Sequence, residues 1–385
     1  MAGRRPRRRW LSLSLRAMLL AILASAIWLG WWVNSSRNQQ AAVTAVETSP
    51  YYANVIYEDD PDYFPQDGRV GRWLGLKLKT WVPSSLRARL GRDFFYNALA
   101  VAFSKRDATG AGDREVFRKL ALVRSLDQLN PNIEVVDADV AQIAHLPNLK
   151  RLSLRARSPR LTDASLQTLA GIPRLEALEI LDAPITDAGL AHLRGMRELK
   201  SLLLGEATAF SAAGNMIAIT GEGFSQLAAL PALTELEIHS AALRGDGLKH
   251  VGSLRHLKRL KLQGGLVTDD DLRHLAPLID LESLEIVRSS IDGTGFRHLA
   301  GLSKLNRVCL EGPNITGAAI SHLARLPALE SIMIYGTHLT ASELAGFRAA
   351  PRLRQMGLVP AVTGDTMRLK QALPNCNVLN GGRAL

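Results

Sequence analysis

Glu235 and Glu237 stand two positions apart in a segment where apolar and polar residues alternate, so both carboxylates lie on one face of a predicted strand. Two carboxylates on one surface could supply the acid and the base of a glycoside hydrolase. Arg259 and Lys261 occupy the matching positions 24 residues later. Pairing between neighbouring strands would neutralise both acids. We therefore predict lateral ion pairs at these positions, and not catalysis.

Histidines form a second set of residues that could perform chemistry. Five of them occur at one position of a repeated segment: His192, His250, His274, His298 and His322. Such a column could bind zinc or respond to pH near neutrality. Neighbouring helices pack about 8–10 Å apart, however, whereas zinc holds its nitrogen ligands at about 2.0–2.1 Å. We interpret these histidines as residues packed between helices that donate to backbone carbonyls.

Other signatures of chemistry are absent from the sequence. It contains no G-x-S-x-G, H-E-x-x-H, P-loop or dinucleotide-binding motif. Glu58, Asp59, Asp60 and Asp62 are close together, but they lack the glycine-spaced pattern of a calcium loop and predict a solvated turn. The sequence thus predicts a protein that is not an enzyme and has no cofactor, metal or small-molecule substrate.

The paired glutamates and the histidine column are placed by one repeated segment of about 24 residues. Counting its opening apolar residue as position 0, apolar residues recur at +5, +8, +11, +14, +17 and +19. A fixed period of this length predicts a stacked solenoid in which each unit buries its apolar side against its neighbours. The units open at Val135, Leu161, Ile185, Ile219, Leu243, Val267, Ile291, Ile315, Leu339 and Val362.

Each unit combines two periods. The spacing from position 0 to +11 predicts a short helix. Threonine at +1, as in Thr162, Thr316 and Thr340, predicts an N-cap, and the acids that follow suit the positive end of the helix dipole. The end of the unit alternates strictly, so positions +17 and +19 face inward and +16, +18 and +20 face outward on a strand. The fold class is therefore α/β.

This pattern resembles the leucine-rich-repeat family, whose strand signature L-x-x-L-x-L appears here as Leu149-x-x-Leu152-x-Leu154 and Leu233-x-x-Leu236-x-Ile238. The repeat length and the I-T-D-x-G-L opening are most similar to the helix-backed, cysteine-containing subtype. The resemblance covers about 250 residues and implies a concave parallel sheet backed by convex helices. The chain resembles bacterial membrane-anchored repeat proteins, which implies protein binding.

The two ends of the repeat domain, residues 112–385, differ from the regular units. A degenerate first unit opens near Gly112, and Pro131 replaces its core leucine, which predicts an imperfect strand. The apolar residues 94–103 predict a preceding edge strand. At the other end we expect the last unit to break down at Pro374, Asn375 and Cys376 and to close the core.

The N-terminal third has a different composition. Residues 1–9 form a basic tail with five arginines, and residues 10–33 are long and apolar enough for a transmembrane anchor. Ala24-Ser25-Ala26 would also fit a cleaved signal peptide. With the arginines inside, the repeats would lie outside the cytoplasm. Residues 34–111 form an irregular juxtamembrane region to which the sequence assigns no fold.

The formal net charge of +11 does not indicate a nucleic-acid partner, because six arginines up to Arg16 contribute more than half of it. Two cysteines, Cys309 and Cys376, are too few for a disulfide scaffold and lie too far apart in the solenoid to pair.

The outward strand positions are the predicted binding surface, since solenoids use their concave face for partners. An insertion at residues 205–218 could cover part of it or be neutral. We predict a membrane-anchored, extracytoplasmic protein-binding scaffold; an architectural envelope protein and a substrate adaptor of the ubiquitin-ligase kind are alternatives. The predicted contact residues are Glu237, His239, Lys261, Glu285, Arg307 and Tyr335.

Overall fold

A computed structural model describes most of the repeat domain and parts of the N-terminal third. The described residues are 15–47, 51–57, 98–105, 117–118, 120–132, 135–155, 161–205, 219–240, 243, 245–264, 267–359, 366–380 and 383–384.

The strands form a single sheet whose spatial order is the order of the sequence. From β2 to β13 each strand is parallel to the next, and only the pairs at the two ends, β1–β2 and β13–β14, are antiparallel. A parallel sheet without crossovers requires each unit to stack on the one before it. The strands are β1 (Tyr51–Tyr57), β2 (Ala98–Lys105), β3 (Gln128–Asn132), β4 (Arg151–Arg155), β5 (Ala177–Leu181), β6 (Ser201–Gly205), β7 (Glu235–His239), β8 (Arg259–Gln263), β9 (Ser283–Val287), β10 (Arg307–Glu311), β11 (Ser331–Tyr335), β12 (Gln355–Val359), β13 (Asn377–Asn380) and β14 (Arg383–Ala384).

Short helices precede the strands, as predicted, but several are 3₁₀ helices. The apolar residues of a unit are spaced by three, which suits the three residues per turn of that helix. The α-helices are α1 (Leu15–Glu47), α2 (Asp137–Ile143), α3 (Asp163–Leu169), α4 (Phe224–Leu227), α5 (Gly245–Val251), α6 (Gly317–Leu323), α7 (Ala341–Leu344) and α8 (Thr366–Ala372); the 3₁₀ helices are η1 (Gly189–Gly195), η2 (Asp270–Leu275), η3 (Thr294–Leu299) and η4 (Ala345–Ala349).

The core runs through the whole solenoid and confirms the predicted inward positions. Leu284 is completely buried, and its registered neighbours Leu260 and Val308 on β8 and β10 are each 1% exposed. Phe224 and Phe296, at position +5 of their units, are also completely buried. The described part of the chain thus forms the α/β solenoid, with a parallel sheet and short helices, that the repeat period predicts.

Acidic side chains link consecutive coils. Asp163 accepts the backbone N–H of Thr186 at 3.0 Å and its hydroxyl at 2.6 Å. Asp137 binds Thr162 in the same way at 2.9 and 2.7 Å. We expected these acids to act on their own helix dipole, and that interpretation was incomplete. Each acid accepts N–H groups that the start of the following coil leaves unpaired.

At each of these boundaries between two coils, a small residue lies opposite the carboxylate. The acid can belong to the earlier coil or to the later one, and the small residue then belongs to the other. An acid at +2 faces a small residue at +4 of the next coil, whereas a glycine at +2 faces an acid at +4. A Cβ at Gly189 would lie 2.2 Å from the carboxylate of Asp163, and one at Gly245 would lie 2.1 Å from that of Asp271. The boundaries are Asp137/Ser165, Asp163/Gly189, Asp187/Gly223, Asp269/Gly295, Gly245/Asp271 and Gly317/Glu343.

The predicted threonine caps are confirmed only in part. Thr162 accepts the N–H of Ala164 at 3.3 Å, and Thr340 forms a reciprocal capping box with Glu343. Thr316 makes no side-chain cap; its hydroxyl donates to the carbonyl of Asp292 in the previous coil at 3.3 Å. The prediction was therefore wrong for Thr316, whose side chain is used between coils.

Both ends of the sheet depart from the predicted boundaries. Pro131 lies in β3, which pairs with β4 at only two positions while pairing with β2 at five. This confirms the imperfect strand, since proline has no N–H to donate. The expected breakdown at residues 374–376 is wrong: Cys376 is buried, and β13 follows it in register with β12. The sheet ends with β14 instead.

The N-terminal helix α1 runs from Leu15 to Glu47, beyond the predicted end of the anchor at residue 33. Its C-terminal part contacts β1, and Val43 is 5% exposed and belongs to the core. Its preceding part exposes Leu23, Ile27, Trp28 and Trp31. Among the described residues, no helix combines the length and the apolar character needed to cross a membrane.

The predicted strand in residues 94–103 corresponds to β2, but β2 is not the edge of the sheet because β1 lies outside it. Residues 34–111 are thus partly regular, in α1, β1 and β2. The insertion lies outside the described residues from residue 206 onward. The strands on either side of it, β6 and β7, pair at all five positions, so the extra residues do not disturb the stacking.

Candidate partner-binding face

Three rows of outward side chains cross the face of the sheet that the resemblance predicts to be concave, named the concave face from here on. There is one row for each of the positions +16, +18 and +20. The burial pattern of β4 and β7, in which buried residues alternate with partly exposed ones, confirms this orientation. The first row includes Glu235, Arg259, Ser283 and Arg307; the central row includes Glu179, Leu203, Glu237, Lys261, Glu285, Cys309, Met333, Gly357 and Leu379; the last row includes His239, Gln263, Val287, Glu311, Tyr335 and Val359. Within these rows Val287 and Gly357 are buried.

Glu237 joins three of the six predicted contact residues. One of its oxygens lies 2.6 Å from Nε2 of His239, two residues along the same strand. The same oxygen also pairs with Nζ of Lys261 on β8. Burial alone would raise the pKa of Glu237, but hydrogen bonds from His239 and Lys261 outweigh it and hold the pKa below its usual value. Glu237 is therefore an ionised, positioned acceptor near neutral pH.

The first row contains the second predicted ion pair, between Glu235 and Arg259, whose side chains are 36% and 63% exposed. Both acids are thus paired with the cations that the sequence indicated. A carboxylate with a lowered pKa is a poor proton donor at neutral pH, and Glu237 is of that kind. The geometry therefore supports lateral pairing at these acids.

Cys309 and Tyr335 lie on neighbouring strands beside two carboxylates. Burial, together with the charges of Glu285 and Glu311, raises the pKa of the Cys309 thiol to about 11. Burial first, and then the neighbouring Cys309, Glu285 and Glu311, raise the pKa of Tyr335. Since the thiolate is the reactive form of cysteine, Cys309 is chemically quiet, and Tyr335 keeps its hydroxyl proton as a hydrogen-bond donor.

The remaining predicted residues, Glu285 and Arg307, lie on β9 and β10. Arg307 is exposed and Glu285 is half-buried. Neither forms an ion pair or a hydrogen bond with another described residue. The six predicted residues consequently share one face, but the structure brings only Glu237, His239 and Lys261 into mutual contact.

Sequence reasoning missed an apolar area at the C-terminal end of this face. Met333 is 36% exposed, Val359 47% and Leu379 37%. These residues lie on the successive strands β11, β12 and β13. The outward positions of Met333 and Val359 could be recognised in the repeat. Leu379, however, is at position +17 of the unit that opens at Val362, and only its pairing with Gly357 places it in the outward row.

A shallow pocket of about 140 Å³ lies near the middle of the face. Leu203, Glu237, Lys261 and Glu285 are among the residues that line it. Ligand pockets typically enclose about 300–1,000 Å³. This pocket is therefore too small to be the main site for a drug-sized molecule, although it can receive one side chain.

The histidine column lies on the convex side and differs from our interpretation. His192 is exposed, while His250, His274, His298 and His322 are half-buried. Nε2 of His298 accepts an N–H from Arg297 at 3.2 Å, and Nε2 of His250 lies 3.8 Å from Glu222. The contacts found are thus with neighbouring side chains, whereas backbone donation was predicted. No cluster of potential metal ligands occurs among the residues described.

Comparisons with known proteins identify distant structural relatives. No protein-family model matches the chain, and no curated protein matches it. The structure of an internalin C2 from Listeria monocytogenes is 24% identical in sequence, covers 58% of this chain and 84% of its own, and has a TM-score of 0.39. A second internalin of that species, inlF, is 17% identical, with 68% and 82% covered and a TM-score of 0.38. Neither match bears on function.

Proposed function

We propose that this protein is a scaffold that binds a partner protein on the concave face of its solenoid. The observation that carries the proposal is the alternation of buried and outward positions along β7 and β11. The six predicted contact residues are all outward, so none of them is needed for the core. They come from the five adjacent strands β7 to β11 and form one continuous surface.

The shape and composition of the face favour a macromolecule. Its pocket of about 140 Å³ is small, whereas its rows extend across many strands. Tyr335 and Arg307 are of the residue types most enriched among binding hot spots. An exposed arginine and a half-buried tyrosine on neighbouring strands can supply both apolar contact area and directed hydrogen bonds to a protein partner.

We also propose that α1 holds the scaffold at a membrane with the solenoid outside the cytoplasm. Support comes from the five arginines in residues 1–9 and from the absence of charged residues at positions 17–33. Support also comes from the exposed Leu23, Ile27, Trp28 and Leu29, which face different sides of the helix. A helix that exposes apolar residues on all sides requires an apolar environment, and arginines favour the cytoplasmic side.

Site-specific photo-cross-linking in the native cells tests the binding role. A photoreactive amino acid at position 335 of the full-length chain should trap one dominant protein. The same probe at exposed Arg273 on the convex η2 serves as the matched control and should trap none. Absence of an adduct at position 335 would contradict the proposal and favour an architectural role. An adduct at position 273 alone would place binding on the helices.

A further inference from the structure

The concave face changes character along the solenoid, from acidic in the middle to apolar at the C-terminal end. Between β5 and β9 the central row contains Glu179, Leu203, Glu237, Lys261 and Glu285, which are three carboxylates and one lysine. The only lysine pairs with Glu237. This stretch is therefore negative, although the chain as a whole carries a formal charge of +11.

Two of these carboxylates are available to a partner. Glu179 and Glu285 are half-buried and form no ion pair or hydrogen bond within the described part of the chain. Glu179 neighbours Leu203 directly in the row, and Glu237 lies on the other side of that leucine. The partly exposed Leu203 also lines the pocket of about 140 Å³. An apolar floor between carboxylates suits a lysine or arginine side chain, whose methylene stem packs on carbon while its charged end reaches the acids.

The C-terminal end presents a surface for apolar side chains. Met333 and Leu379 lie in the central row on either side of Gly357, and Val359 lies beside Tyr335 in the last row. The sulfur of Met333 covers Gly357 so closely that a Cβ there would lie 2.2 Å from it. Glycine at position 357 therefore provides the space that Met333 occupies, and bulky side chains of a partner can pack on the exposed Met333, Val359 and Leu379.

We propose that the face binds an extended segment of a partner protein that carries a basic residue at one end and bulky apolar residues at the other. The basic residue lies over Leu203 between Glu179 and Glu237, and the apolar residues cover Met333, Val359 and Leu379. Glu285, three strands away from Leu203, adds to the negative charge of the same row. The charge of the middle stretch and the two unpaired carboxylates argue for a cationic partner. The inference rests on the proposed binding role and specifies the chemistry of the partner.

The spacing between the two ends sets the length of the segment. Leu203 on β6 and Met333 on β11 are five strands apart, which corresponds to about 24 Å at about 4.8 Å per strand. An extended chain advances about 3.3 Å per residue. The basic residue and the first apolar residue should therefore be separated by about seven positions.

Selection of peptides on the purified full-length chain in lipid nanodiscs tests this inference. The probe is a phage-displayed library of random 12-residue peptides. We expect enrichment of peptides in which a lysine or arginine precedes or follows bulky apolar residues by about seven positions. The double variant Glu179→Gln and Glu285→Gln should weaken capture of these peptides at least tenfold. The triple variant Met333→Ser, Val359→Ser and Leu379→Ser should remove the preference for apolar residues.

A convex variant, Arg273→Ala with His298→Ala, is the matched control and should leave capture unchanged. Thermal melting of each variant checks that the substitutions leave the fold intact. Enriched peptides that are acidic or lack the apolar end, but that still lose binding when Arg307 and Tyr335 are replaced, would overturn the inference and leave the binding role standing. No enrichment, or loss of capture only in the convex variant, would contradict the binding role as well.

Discussion

Asp269 and Gly295 face each other across the boundary between two coils. The carboxylate of Asp269 accepts the backbone N–H of Gly295 at 2.7 Å and that of Gly293 at 3.0 Å. A Cβ at position 295 would lie 2.2 Å from the backbone oxygen of Asp269. Glycine at position 295 thus allows the two backbones to approach closely enough to form the hydrogen bonds that join the coils.

Replacement of Gly295 by alanine should therefore destabilise the solenoid by about 1–3 kcal/mol, the usual cost of overpacking. Urea unfolding followed by circular dichroism would measure the effect. Gly301 is the matched control, because a Cβ there meets nothing within 4 Å. Gly301→Ala should change the free energy of unfolding by less than about 0.5 kcal/mol. Equal losses of unfolding free energy in the two variants would show that the stacking of the coils does not require the close approach of Asp269 and Gly295.

Asp187 should make stability depend on pH in the acidic range. Burial alone would raise the pKa of Asp187, but hydrogen bonds from the backbone of Gly223, Thr220 and Gly221 and from the hydroxyl of Thr220 hold it below its usual value. Because the pKa of Asp187 is lower in the folded state than in the unfolded state, its ionised form stabilises the fold at pH values above the unfolded-state pKa of about 3.9. This stabilisation is lost as the pH falls through the folded-state pKa.

Asp187→Asn should therefore be less stable than the natural chain at pH 7, and the difference in unfolding free energy should shrink as the pH falls below about 3.9. Parallel urea unfolding of both proteins at several pH values would measure it. A difference that is independent of pH would contradict the ionised role of Asp187.

Leu284 and Ser283 test the assignment of inward and outward positions. Leu284 is completely buried between Leu260 and Val308, so Leu284→Ala should cost about 2–5 kcal/mol through lost burial and a cavity. Ser283 points outward on the same strand, and Ser283→Ala should stay within about 0.5 kcal/mol. Chemical denaturation of the two variants would compare them, and similar losses would be inconsistent with the alternation.

The anchor proposal predicts that the repeats are accessible from outside the cytoplasmic membrane. Protease added to cells with a permeabilised outer envelope should digest the solenoid and leave a short membrane-bound fragment that contains residues 10–33. Digestion only after lysis would reverse the proposed orientation. A soluble product that begins after Ala26 would show instead that a signal peptide is removed.

The repeat period predicted the elements that a single unit determines by itself. Position +17 identified Leu284 as core, and position +18 placed Lys261 beside Glu237, because strand alternation and the fixed period act within every unit. The contact residues remain a prediction. Their types and outward positions follow from the sequence, but binding depends on a partner that the sequence does not specify.

Relationships between units were harder to predict. Asp163 stands where a residue of the first helical turn suits its own helix dipole, yet it binds Thr186 of the next coil. The exchange of acid and glycine between positions +2 and +4 becomes visible only when consecutive coils are superposed. The apolar area of Met333, Val359 and Leu379 was missed for the same reason, since it arises from three neighbouring strands.

Capture of the partner by the double variant Arg307→Ala and Tyr335→Ala is the most direct test of binding on the concave face. Affinity capture from cells that express the full-length chain, quantified by mass spectrometry, should show at least a tenfold loss of the cross-linked partner, about 1.4 kcal/mol. The thermal stability of the double variant should be nearly unchanged, because Arg307 is exposed and neither residue belongs to the core. Undiminished capture by this variant, with loss instead when the convex Arg273 and His298 are replaced, would contradict the account.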